Sequence, residues 1–158
     1  MGNLSLEIKW GIIFILIGFI WKYFEMTMGW HGEHFDRLET YALFYIPIPI
    51  LIYVLAIREK KSSLGGIISW KEGFITGLKI SLFIALLSPL SQYVINSIIS
   101  PGYFPNAIRY TVDNGFLTQS QAEAYFNLKS QIQQAFISSI SAGTFTSAIV
   151  AFVLKSRS

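Results

Sequence analysis

The apolar residues of this chain are gathered into four stretches of membrane-crossing length, separated by short polar segments. As a helix, about 20 consecutive apolar residues span the hydrocarbon core of a bilayer. Of the 158 residues, 53% are hydrophobic and only 13% are charged, whereas charged residues make up about a quarter of an ordinary soluble domain. The sequence therefore predicts an all-α protein, a polytopic four-helix transmembrane bundle that forms a single membrane domain over residues 1–158 and contacts membrane lipids.

The predicted helices cover residues 8–28, 35–57, 70–99 and 119–154. Residues 80–99 and 135–154 carry no charge, and Pro47 and Pro49 predict a kink in the second helix. Pro89 predicts another kink, in the third helix. A loop over residues 58–69 and a structured segment over residues 100–133 connect the later helices on opposite sides of the membrane.

The orientation follows from the Lys and Arg residues near the ends of the predicted helices. Seven lie on one side and three on the other, so the positive-inside rule places both termini and the loop 58–69 in the cytoplasm and the segment 100–133 outside. The seven are Lys9, Arg58, Lys60, Lys61, Lys71, Lys155 and Arg157, and the three are Arg37, Arg109 and Lys129. We expect a bacterial inner-membrane protein.

Small residues recur every four positions in the third and fourth predicted helices. The first stripe is Gly73, Gly77, Ser81 and Ala85, and the second is Ser139, Gly143 and Ser147. Small side chains let two helix backbones approach closely in a membrane. We interpret the stripes as a contact within one chain, with a homodimer through the same glycines as the alternative. Helix starts are indicated by capping-box patterns at Ser69 to Glu72 and Thr118 to Gln121.

Two groups of polar residues lie within predicted membrane helices. Lys22 and Glu25 are three positions apart in the first helix and form a candidate intramembrane ion pair or proton relay, although their place near the outer end favours side chains that reach the interface. Ser88, Gln92 and Asn96 are four positions apart in the third helix. They form either a polar cavity with the hydroxyl residues of the fourth helix or hydrogen bonds between helices, and the second interpretation is favoured.

His31 and His34, with carboxylates nearby, are the weak candidates for a metal site. The spacing lacks the HExxH pattern of zinc proteases, and a solvated loop accounts for the same residues. No Ser-His-Asp pattern or phosphate-binding glycine loop is recognisable in the sequence. Nothing in it calls for a cofactor, cysteines are absent, and the net charge of +3 is dispersed, which does not favour nucleic acid as a partner.

The run from Gly65 to Lys79, with Ser69-Trp70-Lys71-Glu72-Gly73 at its centre, follows a basic loop and leads into an apolar helix. In this run and in its overall plan the chain resembles a bacterial membrane-protein family, domain of unknown function family 4199, found largely among Bacteroidota. The resemblance implies four transmembrane helices with a long polar segment between the last two. It implies no activity and transfers no catalytic residue.

These observations favour a non-enzymatic structural or accessory protein of the inner membrane. Its predicted partner surface is the external segment, where aromatic residues such as Tyr103, Phe104 and Tyr125 lie among few charges. A small-solute transporter or channel subunit that acts as an oligomer is the first alternative. A metal-dependent membrane enzyme that uses His31 and His34 is the second.

Overall fold

The structure, a computed structural model, describes residues 5–156. Arg157, which contributes to the predicted cytoplasmic charge, lies outside the described residues, as do positions 1–4 and 158 of the predicted domain. The described residues form eight α-helices and contain no strand. The helices are α1 (Leu6–Thr27), α2 (Leu38–Ala42), α3 (Pro47–Ser63), α4 (Trp70–Leu86), α5 (Ser88–Val94), α6 (Tyr103–Asp113), α7 (Gln119–Tyr125) and α8 (Leu128–Leu154).

Two helical stretches are long and apolar enough to cross a membrane. They are Phe35–Ser63, in which short 3₁₀ turns flank α2 and lead into α3, and Leu128–Leu154, which is α8. A third exists if α4 and the stretch Ser88–Ile99, interrupted at Leu87, are one broken span. The α1 helix is not among these candidates, so the described residues give two or three candidate spans where the sequence predicts four.

Two of the predicted helices are divided in the structure. The third is interrupted at Leu87, because Pro89 has no N–H to continue the helical hydrogen bonds. The fourth, predicted to run over residues 119–154, is corrected to α7 and α8. The interruption has a local cause: Phe126 leaves the helical conformation with φ −93° and ψ 73°, and Asn127 Oδ1 accepts a hydrogen bond from the Ser130 N–H, which caps the start of α8.

The chain divides into two compact units, and the single membrane domain over residues 1–158 stays a prediction. We call residues 5–15, 46–87 and 136–156 the packing unit, and residues 16–45 and 88–135 the polar unit. The α1 and α8 helices each contribute residues to both. The two units differ in what lies at their centres, and each is described by itself.

In the packing unit, α3, α4 and α8 enclose an apolar core. Its buried members are Tyr53, Ala56, Ile57, Ile68, Ile80, Ile84 and Val150. The α4 helix begins at Trp70 with the predicted capping box: Ser69 Oγ accepts from the Glu72 N–H, and the Glu72 carboxylate accepts from the Ser69 N–H. Because Gly73, Gly77, Ser81 and Ala85 follow one another at intervals of four positions, all four share one buried face of α4.

The small residues of α4 and α8 lie against each other in the packing unit. A Cβ atom added at Gly77 would lie 2.6 Å from the Ser147 Cβ, and one added at Gly143 would lie 2.7 Å from the Ser81 Cβ. At Gly73, the Ala151 Cβ would be only 3.0 Å away. Ser139, in contrast, lines a cavity of about 220 Å³ with Phe14, Tyr53 and other residues of this unit. The glycine positions therefore have no room for a side chain.

In the polar unit, the segment after α5 contains α6 and α7, and its aromatic rings pack against one another and against Phe35. Tyr103 and Tyr110 of α6 lie 5.9 Å and 5.0 Å from the Phe35 ring, measured between ring centroids. The α7 helix starts with the second predicted capping box, in which Thr118 and Gln121 exchange hydrogen bonds. Its Tyr125 is followed by Phe126, whose ring lies edge-on to Tyr103. The region 100–127 is thus an ordered helical segment.

Candidate functional site

The polar unit contains a carboxylate that is almost fully enclosed. Glu25, in the last turn of α1, is 1% exposed, and both of its oxygens accept charged or polar donors. The Trp21 indole N–H donates to Glu25 Oε1 at 2.5 Å, and the Lys22 ammonium donates to Oε2 at 2.6 Å. Residues three and four positions apart share a helix face, so α1 by itself brings these donors to the carboxylate.

The loop after α1 carries His31 back over Glu25. Gly29 makes this reversal with a φ of 75°, a conformation that favours glycine, and its carbonyl accepts from the Gly32 and His34 N–H groups. His31 is 5% exposed, and its Nε2 lies 3.0 Å from Glu25 Oε2. The Asn106 side chain of α6 donates to the His31 carbonyl at 2.8 Å, which holds the loop in place.

The other ring nitrogen of His31 contacts a serine that is distant in sequence. His31 Nδ1 lies 2.9 Å from Ser100 Oγ, and Ser100 is 3% exposed. Since an ionised carboxylate can only accept, the neutral form of His31 would donate from Nε2 to Glu25 and accept at Nδ1 from the Ser100 hydroxyl. We call Lys22, Glu25, His31 and Ser100 the Glu25 cluster.

The Glu25 cluster has the residue types of a serine–histidine–acid triad, but its serine is not accessible to a substrate. Ser100 is buried and is not part of the wall of the adjoining cavity, so its hydroxyl has no space in front of it for a reacting carbonyl carbon. The cluster is therefore a hydrogen-bonded charge network. Because buried charges are costly unless paired, Lys22 and Glu25 compensate each other.

A cavity of about 80 Å³ adjoins the Glu25 cluster. Its walls are formed by Lys22, His31, Gln92, Ile95, Asn96, Tyr103 and Gln131. We call this space the polar cavity. Water occupies about 30 Å³ per molecule in the liquid, so the volume accommodates two or three waters or one small solute. Burial raises the pKa of Tyr103 to about 12, and the nearby negative charge of Glu25 acts in the same direction, so this phenol remains neutral.

The structure brings together some of the residues that sequence reasoning singled out and separates others. Lys22 and Glu25 are in contact, with 38% of the Lys22 side chain exposed, and Gln92 and Asn96 line the polar cavity. Ser88 does not line that cavity, and its hydroxyl is buried without a hydrogen-bond partner among residues 5–156. The cavity interpretation pairs this polar stripe with hydroxyl groups of the last helix, whereas the cavity wall has Gln131 of α8.

His31 and His34 have different surroundings. Both ring nitrogens of His31 are engaged in hydrogen bonds, which leaves neither available to a metal ion, while His34 is exposed. Within residues 5–156 there is no group of three or more His, Cys, Asp or Glu side chains arranged to hold a metal.

Sequence reasoning missed three contributors to the site: Ser100, Tyr103 and Gln131. Ser100 is 69 positions from His31, and no local pattern marks either residue as the partner of the other. The available signal was chemical. A buried acid and a nearby histidine need donors and acceptors, and Ser100 opens the longest of the polar segments between the predicted helices.

The fold and the exposed apolar side chains indicate the class of protein to which this chain belongs. The described residues form an all-helical chain with apolar helices long enough to cross a membrane, and large apolar side chains such as Ile20, Leu86 and Phe145 are exposed where lipid would contact them. These features are compatible with an integral membrane protein. Residues 9–156 match the family described as "Protein of unknown function (DUF4199)", and the chain belongs to this family. No curated protein and no solved structure matches it.

Proposed function

We propose that this protein crosses a bacterial inner membrane four times with cytoplasmic termini, and that it binds a small polar solute in the polar cavity for transport as an oligomer. The observation that carries the proposal is a cavity beside a buried carboxylate in α1. Ionisable groups at membrane depth cost free energy and are characteristic of substrate and ion pathways.

The length of α1 supports the proposal that it is a membrane span in addition to the three candidate spans described above. Its 22 residues are about 33 Å long at about 1.5 Å per residue, which matches a hydrocarbon core of about 30 Å. Because the chain contains no cysteine, single-cysteine variants report the sidedness of each position directly. In intact spheroplasts, a membrane-impermeant maleimide should label Glu33→Cys and Ser120→Cys, and it should label Ser5→Cys and Ser62→Cys only after lysis. Labelling of Ser5 and Glu33 from the same side would contradict a membrane-spanning α1.

Solute binding is tested on the purified full chain in detergent by the shift of its unfolding temperature. The panel is formate, acetate, urea, glycerol and ammonium, each small enough for the polar cavity. A solute that binds only the folded state raises the free energy of unfolding by about 2.7 kcal/mol at one hundred times its Kd. We expect at least one member of the panel to give a shift that Gln92→Ala and Asn96→Ala reduce.

The matched control for these variants is Gln119→Ala. Gln119 is an exposed amide of α7 whose side chain donates to Glu123, and it lies outside the cavity wall. Its variant should retain the full shift. If no solute stabilises the wild-type chain, or if Gln119→Ala removes the shift as completely as Asn96→Ala does, the solute site is wrong.

The second candidate function is the one that the sequence favours, an accessory protein that binds a partner through the external segment. Its support is an open apolar groove of about 330 Å³ along α7, lined by Leu117, Gln121, Ala124 and Tyr125. Phe116 beside it is 66% exposed. Exposed aromatic rings next to a groove on a segment assigned to the aqueous phase are typical of protein-binding surfaces.

Point changes test this candidate better than a deletion, because Tyr103 and Asn106 of the same segment contact His31. We expect Phe116→Ser combined with Tyr125→Ser to remove a stoichiometric partner from affinity purifications in mild detergent, while Tyr93→Ser leaves it bound. Native mass determination of the same sample reports the oligomeric state. A partner that survives the double change, or a homo-oligomer without other proteins, would leave solute transport as the better function.

A further inference from the structure

The Glu25 cluster and the polar cavity share a residue, Lys22, whose charge has one partner. The ammonium donates to Glu25 Oε2, and Lys22 is also one of the residues that line the cavity. With His31 neutral, the formal charges of Lys22 and Glu25 sum to zero. Any proton that binds to the Glu25–His31 pair leaves the cluster with one positive charge in excess, and an anion beside Lys22 would restore its neutrality.

The geometry lets the pair accept a proton without moving heavy atoms. A protonated imidazole donates from both nitrogens, so Nδ1 would change from acceptor to donor. Its partner is the Ser100 hydroxyl, which can turn from donating to accepting by rotating its hydrogen at the same 2.9 Å distance. Glu25 remains an acceptor for His31 Nε2 in both states, and once His31 is charged it no longer needs Lys22 for charge compensation.

The cavity wall offers more donors than acceptors to a ligand. Asn96 Nδ2 lies 2.9 Å from the Gln92 backbone carbonyl, which identifies that atom as the nitrogen, and it also donates to Gln92 Oε1 at 3.1 Å. Within residues 5–156, the Gln92 amide N–H groups then have no hydrogen-bond partner, and the same holds for the Tyr103 hydroxyl and the Gln131 side chain. Only Ser88 Oγ is both unpaired and fully enclosed among the described residues, so these cavity groups remain within reach of a solute.

We infer that the polar cavity binds a small monocarboxylate together with one proton, the carboxylate at Lys22 and the proton at the Glu25–His31 pair. This inference rests on the proposed solute site and names its ligand class and its coupling. A formate- or acetate-sized anion fits the volume of about 80 Å³. Charge balance couples the binding of the anion to the binding of the proton. The anion alone would compete with Glu25 for Lys22, whereas the anion together with one proton leaves the cluster neutral.

The groups that face the Glu25–His31 pair are few and come from several elements. Lys22 and Trp21 face it from α1, and Ser100 faces it from the turn before α6. The Tyr103 ring meets the His31 ring edge-on at 5.0 Å, and the Tyr45 ring lies 5.3 Å from the Trp21 ring at an interplanar angle of 36°. Arg109, exposed, reaches the region only through Asn106. Lys22 is therefore the only cation in direct contact with the pair among residues 5–156.

The test is isothermal titration calorimetry of the full chain in nanodiscs with sodium formate across a range of pH. We expect the affinity to rise about tenfold for each unit by which the pH falls, as linkage requires when one proton binds with each anion. Two buffers with different ionisation enthalpies, used at one pH, report the number of protons taken up. We expect a value close to one per formate.

Two variants separate the roles in the cluster. Lys22→Met should abolish formate binding at every pH. Glu25→Gln, which removes the competing charge, should bind formate with an affinity that no longer depends on pH and without proton uptake. Their controls are Lys129→Met and Glu39→Gln, which change exposed residues of the same unit away from the cavity wall and should behave as wild type. If Glu25→Gln fails to fold, the two-buffer measurement on the wild-type chain still decides the coupling.

The failures are distinguishable. Formate binding with the same affinity at every pH would overturn the proton coupling and leave the solute site standing. Binding of urea or glycerol but not formate, or undiminished formate binding by Lys22→Met, would overturn the carboxylate. If no solute of any kind binds, the proposed function falls with the inference.

Discussion

The two units of this protein hold their helices by opposite means. In the packing unit, Gly77 and Gly143 remove side chains so that Ser147 and Ser81 of the facing helix occupy the space. In the polar unit, the charged Glu25 carboxylate is buried and forms hydrogen bonds with Trp21, Lys22 and His31. The first arrangement depends on shape and the second on hydrogen bonds.

This difference indicates what each unit is suited for. Close contact between helices gains dispersion energy and needs no chemistry, so it supplies stability and nothing else. A buried carboxylate with its donors contributes little net stability, because the desolvation of the charges offsets their attraction. The protein has one nevertheless, next to a cavity, and for this reason the proposed function is placed in the polar unit.

The largest effect is expected at the glycines of the packing unit, where the helices pack most closely. Gly77→Leu should prevent the accumulation of folded protein, because even the first side-chain atom would lie 2.6 Å from the Ser147 Cβ. Gly77→Ala should lower the free energy of unfolding by about 2 kcal/mol despite the higher helix propensity of alanine. The measurement is unfolding in mixed detergent micelles, monitored by circular dichroism.

The matched control is Gly18→Ala in α1 of the polar unit. Its Cβ would meet only the Tyr45 hydroxyl at 3.5 Å, an ordinary contact, so we expect no loss and up to about 1 kcal/mol gained from helix propensity. Adding Ser147→Gly to Gly77→Ala should recover part of the lost stability, since the clash is with that residue. Equal effects of the two alanine substitutions would contradict the packing role of Gly77.

A second test removes the charge of the polar unit. Glu25→Ala leaves the Trp21 and His31 donors buried without an acceptor, and we expect a loss of about 2–3 kcal/mol in the free energy of unfolding. Lys22 contributes little to this figure, because 38% of its side chain is exposed and water can replace its partner. Glu39→Ala, on the surface of the same unit, should be neutral. An unchanged stability of Glu25→Ala would mean that the carboxylate is solvated.

A smaller effect is expected from the buried hydrogen bond between two side chains, Tyr53 and Ser81, in the core of the packing unit. Tyr53 Oη and Ser81 Oγ are 2.7 Å apart, and Ser81 also donates to the Gly77 carbonyl. Tyr53→Phe should therefore cost about 1 kcal/mol, since Ser81 keeps its second partner. The same removal of a hydroxyl at Tyr93, which is 53% exposed, should have no effect. A loss well above that of Glu25→Ala would show that hydrogen bonds, too, determine the stability of the packing unit.

The smallest expected difference compares the two capping boxes. Ser69→Ala and Thr118→Ala each remove one cap, and each should cost about 1 kcal/mol or less. The consequences should differ in extent. α4 has 17 residues held by packing and should remain helical, whereas α7 has only seven and should fray. Hydrogen exchange of the α7 amides checks this, and protected amides in the Thr118 variant would contradict it.

Local patterns were predictable from the sequence because their causes are local. Both capping boxes are confirmed, since Ser69 and Thr118 act on backbone groups three residues away. The stripe from Gly73 to Ala85 is buried as its spacing of four requires. The interruptions before Ser88 and at Phe126 were harder to predict. Pro89 predicts the first interruption. Asn127 predicts the second only if its side chain is already known to cap the start of α8.

The sequence by itself determined the helical class, the apolar stretches and the stripe of small residues on α4, because hydrophobic length and helical period depend only on residues that are close in the chain. Only the tertiary structure decided that His31 and Ser100 complete the site around Glu25. Their contact spans 69 positions and depends on the reversal at Gly29 and on the Asn106 hydrogen bond. Such a site arises because each buried polar atom must find a partner, and the partner is selected by position in space.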